Sequence, residues 1–173
     1  MSDLCIRDAT TAEAPTLAAL YRAAYGDLVE AGFPTSAAET AAADVREWLA
    51  DRECWVGVDG AGDGGAGASD DADRDSDESV VAAIQLRERP EWPCPEVCRL
   101  AVDPTRRREG IGATLLEYAE DVVADRGHDR VRLRSFTDHP FLLDWYEQRG
   151  YRQVDLQVID SRPFDVPVLE RRL

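Results

Sequence analysis

No lysine occurs in these 173 residues: all 20 basic side chains are arginine. That absence removes the Walker A loop, G-x-x-x-x-G-K-[ST], whose lysine reaches the terminal phosphates of a nucleotide. Histidine occurs only twice, and the four cysteines (Cys5, Cys54, Cys94 and Cys98) form no paired C-x-x-C unit. A structural zinc site, or any other metal centre, is therefore not expected, and the thiols are read as free and mostly buried in a reducing compartment. No apolar run is long enough to span a bilayer, and residues 1–8 carry neither a basic leader nor an apolar signal core. The expectation is a cytoplasmic protein with no membrane partner. Positive charge is itself scarce, 20 arginines against 35 acidic side chains, for a net charge of -15. Such a surface repels the phosphate backbone, which argues against nucleic acid as a partner and against a transferase acting on charged tRNA. An acidic, lysine-free composition also points to a halophile, whose internal salt screens dense surface carboxylates.

What is present fits one domain, 1–173, with 44% apolar residues and room for a full core. Residues 4–8 read as a strand. Thr10 to Glu13 forms a capping box that starts a helix carrying Leu17, Leu20, Tyr21, Ala24 and Leu28 at helical spacing. Ser36 to Glu39 reads as a second capping box, starting a helix with Val45, Trp48 and Leu49 on one face. Residues 54–58 are a strand. From 59 to 79 the chain is almost wholly Gly, Ala, Ser and Asp, with a single arginine, Arg74, and nothing to bury, so a flexible acidic hairpin insertion is expected. Its aspartates, Asp70, Asp71, Asp73, Asp75 and Asp77, lack the glycine and the closing glutamate of a calcium loop. Strands follow at 80–88 and 96–102, then a helix from Gly110 to Gly127, a strand at 130–136, a helix at 140–149, and strands at 151–159 and 166–173. In the 96–102 strand, alternation places Glu96, Cys98, Leu100 and Val102 on one face and Val97, Arg99 and Ala101 on the other. The order implies an α/β (α+β) fold with a mixed, mostly antiparallel sheet and one parallel pair where the glycine-opened helix joins two strands.

The most informative stretch is 100–113, Leu-Ala-Val-Asp-Pro-Thr-Arg-Arg-Arg-Glu-Gly-Ile-Gly-Ala. Three arginines reverse the local sign of charge, and two glycines open a helix whose first N–H groups have no internal partner. That combination suits a polyphosphate. A dinucleotide fingerprint fits poorly: its third glycine position holds Leu115, and seven residues separate Val102 from Gly110 where a tight turn belongs.

Arg107-Arg108-Glu109-Gly110-Ile111-Gly112 resembles the acyl-CoA motif [RQ]-x-x-G-x-[GA] of the GNAT superfamily of N-acetyltransferases. The segment Trp145-Tyr146-Glu147-Gln148-Arg149-Gly150-Tyr151 resembles that family's second signature, and 168–173 is similar to its closing strand. The resemblance covers 96–173, with the first half agreeing in element order only. It implies a central parallel pair that splays apart and holds the pantetheine arm of acetyl-CoA against Leu100, Ala101 and Val102. The pyrophosphate would rest on backbone N–H groups of Arg108, Glu109, Gly110, Ile111, Gly112 and Ala113, with charge added by Arg107 and Arg108. His139 stands where many members have a pantetheine-contacting asparagine. It either replaces that contact, acts as a base, or serves as a helix-entry residue before Pro140.

The resemblance further implies direct attack of a primary amine on the thioester within a ternary complex, needing no cysteine nucleophile. Tyr146 matches the family's general acid, a backbone N–H near Leu100 would hold the oxyanion, and Glu96 is the carboxylate best placed as base, if burial raises its pKa. Arg134 occupies the spacing where some members carry a catalytic glutamate. A non-catalytic acyl-CoA sensor or scaffold is the alternative. Tyr25, Asp27, Glu30, Phe33 and Trp92 are the candidate acceptor wall for a small-molecule or peptide amine, with a monomer or homodimer expected.

Overall fold

A computed structural model describes residues 4–59 and 79–173. The acidic insertion expected at 59–79 and its aspartates thus lie almost wholly outside the described residues. Strand β1 (Leu4–Asp8) leads through a 3₁₀ turn into helix α1 (Ala14–Glu30). The Thr10 box operates as expected: the Thr10 N–H donates to Glu13 Oε2 at 2.8 Å. The second box does not start a helix. Thr35 accepts the Ala37 N–H, residues 36–39 close a 3₁₀ turn, and helix α2 begins later, at Ala42–Asp51, where the Asp44 carboxylate accepts from the Ala41 N–H at 2.8 Å. The cap that starts the helix is thus set by Asp44, five residues beyond Glu39, while the Thr35 acceptor holds only the 3₁₀ turn.

Strands β2 (Glu53–Asp59), β3 (Ser79–Arg87) and β4 (Glu96–Val102) continue the antiparallel run. Helix α3 (Ile111–Asp125) crosses to β5 (Arg130–Arg134), and α4 (Leu142–Glu147) precedes β6 (Arg152–Gln157) and β7 (Val166–Arg172). The seven strands lie in the order β1-β2-β3-β4-β5-β7-β6, antiparallel throughout except for β4 and β5. This is a mixed α/β sheet with helices on both faces. On one face α3 and α4 cover Ile84, Val97, Leu133 and Leu169; on the other α1 and α2 cover Val56, Ala83 and Ala101. A third cluster, Phe33, Phe164 and Val166 with Phe136, closes one end.

The parallel pair makes one register contact, Glu96 with Arg132, supported by the Arg132 N–H donating to the Pro95 carbonyl at 3.1 Å. Beyond it the strands separate. Beside the split, β4 carries a bulge: Ala83 faces Ala101 and Gln85 faces Cys98, so Arg99 and Leu100 together oppose one residue of β3, and Arg99 takes a left-handed φ of 51°. The extra residue inverts the alternation expected for this strand. Glu96 and Cys98 share the α1/α2 face with Ala101, whereas Leu100 and Val102 join Val97 against α3. No helix among the described residues is long and apolar enough to cross a membrane.

Candidate active site

The split between β4 and β5 opens into a cleft of about 660 Å³, bounded by β4, β5, α1, the start of α3, and α4. Its lining includes Leu100, Ala101 and Val102 from β4, and Ser135, His139 and Tyr146 from the opposite side.

At the α3 end, Gly110 is the residue before the helix and takes φ 84°, while Arg108 is also left-handed at φ 69°. Two left-handed residues flanking Glu109 curl the chain so that successive amides turn to one side. The first helical bond closes from the Thr114 N–H to the Gly110 carbonyl at 3.0 Å, which leaves the amides of Ile111, Gly112 and Ala113 with no partner inside the helix. A Cβ on Gly112 would stand 3.4 Å from Val102 Cγ2, so the missing side chain keeps the helix start open against β4.

The arginine triplet divides by partner. Arg106 pairs with Asp59 and Glu109. Arg107 is drawn across to α1, donating to Asp27 Oδ2 at 2.5 Å and to the Ala24 carbonyl at 2.8 Å. Arg108 is exposed and has no ion pair among the described residues, which leaves it the most available cation beside the open helix start.

Tyr146 is packed edge-on against Trp145 and Tyr151, with centroids 4.9 and 5.6 Å away. Among the described residues its hydroxyl has no hydrogen-bond partner, and burial pushes its pKa up to about 12, with Arg149 pulling weakly the other way. The phenol therefore stays protonated through neutral and mildly alkaline pH. Across the cleft the Tyr25 hydroxyl donates to the Leu100 carbonyl at 2.8 Å, tying α1 to the bulge.

Glu96 sits differently from a poised base. Its side chain is 1% exposed and accepts from Arg87 Nε and Arg89 Nε, both at 2.5 Å, and from Arg134 Nε at 2.8 Å. Burial alone would raise its pKa, but the two hydrogen-bonded guanidinia of Arg87 and Arg89, with the charge of Arg134, outweigh it and hold the carboxyl below the usual range. Glu96 also lies outside the cleft wall. The strand register brings the three arginines around it; the expectation of a raised pKa took account of burial and not of these partners.

His139 takes a structural position within the cleft wall. Its Nδ1 accepts the amides of Phe141 at 3.2 Å and Leu142 at 3.0 Å, capping α4, and its ring lies 5.4 Å from that of Phe33. Burial lowers its pKa, consistent with an imidazole that accepts at Nδ1. Of the candidate acceptor wall, Tyr25 and Asp27 line the cleft, Phe33 belongs to the aromatic end cluster, and Trp92 lies under the guanidinia of Arg89 and Arg132.

Three cleft residues escaped the sequence reading. Ser135 is buried with a hydroxyl that has no partner among the described residues. Trp145 reaches across to within 4.0 Å of a Cβ built on Gly112. Arg99 lies with its guanidinium carbon 3.8 Å from the centre of the Trp48 ring. Trp145 stands within the second signature segment without having been assigned a role there, whereas Ser135 and Arg99 have no local pattern that marks them; the bulge and the α4 geometry bring them in. All four cysteines are free, and no group of three or more His, Cys, Asp or Glu among the described residues could hold a metal ion.

A model of the acetyltransferase (GNAT) family matches residues 27–151. The mycothiol acetyltransferase of Clavibacter sepedonicus is 38% identical over 63 residues, 36% of this chain and 21% of that protein. The S-(2-succino)cysteine N-acetyltransferase of Bacillus subtilis is 30% identical over 87 residues, 44% of this chain and 51% of that one. The chain thus spans about a fifth and about half of the length of these two curated relatives. Among solved structures, the PaiA N-acetyltransferase of Thermoplasma acidophilum, in complex with coenzyme A, superposes with a TM-score of 0.69 over 99% of both chains at 16% identity, a likeness of fold.

Proposed function

The chain belongs to the acetyltransferase (GNAT) family, and on that premise we propose that it moves an acetyl group from acetyl-CoA to a primary amine by direct attack in a ternary complex. The observation that carries this reading is the open start of α3, with three amides that have no partner inside the helix, set beside strands that part after a single pairing. The amides of Ile111, Gly112 and Ala113 would take the pyrophosphate, with Arg108 as the free cation and Arg107 held to α1. Leu100, Ala101 and Val102 would support the pantetheine arm, and the bulge would present a backbone N–H near Leu100 to the oxygen that becomes negative. Acetyl-CoA supplies the activated acyl group; the chain supplies position, the oxyanion donor and a proton.

Tyr146 is the proposed proton source. A phenol held at about 12 remains protonated at neutral pH, so it can donate a hydrogen bond to the departing thiolate and supply its proton, a transfer that runs uphill to a thiol near 8.5 and is completed when water reprotonates the phenolate. For the base, a neutral amine losing its proton through ordered water fits better than Glu96, which three arginines keep ionised and engaged. Both curated relatives carry the names of small-molecule acceptors, which supports a small amine as substrate. In the same reading the chain works as one domain in a salt-rich cytoplasm, as monomer or homodimer, with His139 shaping α4 at the cleft's edge.

Tyr146→Phe tests the assignment. Coenzyme A binding by calorimetry should stay within about twofold, while kcat for thiol release falls by roughly 10²–10⁴, the usual span for a general acid. Unchanged turnover removes the acid role. A protein that binds acetyl-CoA but releases no thiol with any amine is a sensor or scaffold instead.

A further inference from the structure

In a chain of net charge -15, arginines mostly find carboxylates. Ion pairs engage Arg87, Arg89, Arg106, Arg107, Arg132 and Arg134. Arg99 is different. It is half-buried in the cleft wall and makes no hydrogen bond or ion pair among the described residues; its guanidinium stacks on Trp48 at 3.8 Å. The groups near it are Tyr25, Tyr21 and Cys98, all uncharged at neutral pH, and one further cation, Arg52. Arg52 also has no carboxylate partner and lies 5.6 Å from the same indole. On that face the one buried carboxylate among the described residues, Glu96, is already shared by three arginines. The acids once expected to line the acceptor wall do not offset this: Asp27 is taken by Arg107, and Glu30 stands outside the cleft.

Backbone geometry strengthens the point. Arg99 holds φ 51° in the bulge, a left-handed conformation that is strained for an L side chain and would suit glycine. The bulge spends that strain to aim this side chain over α2, one residue before Leu100. A desolvated, uncompensated cation this close to the proposed oxyanion donor is a site for an anion carried by the acceptor itself.

We propose that Arg99 determines acceptor specificity, and that the acceptor is a primary amine bearing a carboxylate next to it, an α-amino acid or a small derivative of one. The inference rests on the acetyl-transfer reading of the cleft. A free carboxylate docked on the guanidinium leaves the neighbouring amine beside Leu100, whereas a polyamine or the N-terminus of a longer peptide brings no such anion.

The test uses the whole protein with acetyl-CoA, following thiol release. The acceptors are leucine, methionine, glutamate and S-carboxymethylcysteine, each beside its α-carboxamide, together with spermidine and a tripeptide. The free acids should show kcat/KM at least about tenfold above their amides, the scale of one hydrogen bond to a charged group. Arg99→Gln should raise the KM of the acids by a similar factor, with kcat and the KM for acetyl-CoA within about twofold, and Arg99→Lys should restore part of the preference. Amides, spermidine or tripeptide used as well as the acids would overturn the proposal, as would an unchanged KM in Arg99→Gln. If no amine turns over although acetyl-CoA binds, the transfer reading fails and binding decides the rest. Quenching of tryptophan fluorescence by N-acetylleucine, present in the native protein and lost in Arg99→Gln, then supports the carboxylate site; no quenching in either overturns it.

Discussion

At the scale of single residues, partners decide behaviour more than identity does. Glu96 and Tyr146 were both readable as candidates from their places in the chain, but Tyr146 keeps an unpartnered hydroxyl while Glu96 is encircled. Nothing local announces that circle, because Arg87 and Arg89 come from β3 and the turn after it, and Arg134 from across the split. His139 shows the same lesson in milder form, since its helix-entry role was readable from Pro140 and its acceptor geometry was not. The cap makes α4 sensitive to acid. Burial depresses the His139 pKa in the folded protein, so its contribution is complete above the unfolded value near 6.5 and is lost as pH falls through the lower native value. Protonation at Nδ1 abolishes the acceptor. His139→Asn, which can cap without titrating in this range, should therefore lose less thermal stability between pH 7.5 and 5.5 than the native protein does. His139→Ala should be weaker at the higher pH by about 1 kcal/mol, the usual net worth of a hydrogen bond. Equal acid sensitivity in native protein and His139→Asn would dismiss the cap as the cause.

Elements were legible where backbone chemistry leaves a mark. Glycines at 110 and 112 flag the start of α3, and Gly127 and Gly150 flag helix ends; Gly110, Gly127 and Gly150 take positive φ. The bulge in β4 left no mark, because an arginine occupies the left-handed position where glycine would have signalled it. Without that signal, simple alternation put Leu100 and Val102 on the wrong face. The two motif glycines should separate by function on mutation. Gly110→Ala has open space around the new methyl but must hold φ 84°, so unfolding should become easier by about 1 kcal/mol. Gly112→Ala meets Val102 at 3.4 Å without that backbone penalty. Denaturation midpoints should shift little for Gly112→Ala while its calorimetric affinity for coenzyme A drops; a drop in stability with unchanged affinity would reverse the assignment.

For the whole molecule, the strand–helix–strand passage through α3 foretold a parallel pair, and the run of strands foretold an antiparallel remainder. The placement of β7 inside β6 was not foretold, since a hairpin's sequence does not say which arm docks on the existing sheet. Composition also speaks at this scale. With a net charge of -15, self-repulsion should ease as the screening length shrinks from about 8 Å in 0.15 M salt to about 3 Å at 1 M. The melting midpoint should accordingly climb by several degrees between 0.05 and 1 M KCl. Buried clusters such as Glu96 with its arginines are shielded from ions, so a fall in the midpoint would mean that ion pairs outweigh repulsion.

The split after Glu96 and Arg132 reaches beyond catalysis. β1 to β4 and β5 to β6 are two half-sheets whose hydrogen-bond ladder is interrupted at their junction, with α3 spanning it. On the proposed reading, the pantetheine arm works as a missing strand that bridges the halves. Any ligand that binds only the folded form deepens its stability in proportion to the logarithm of its concentration. On that reading the protein emptied of both acetyl-CoA and coenzyme A is the form most open to proteolysis, and saturating either ligand should slow its cleavage.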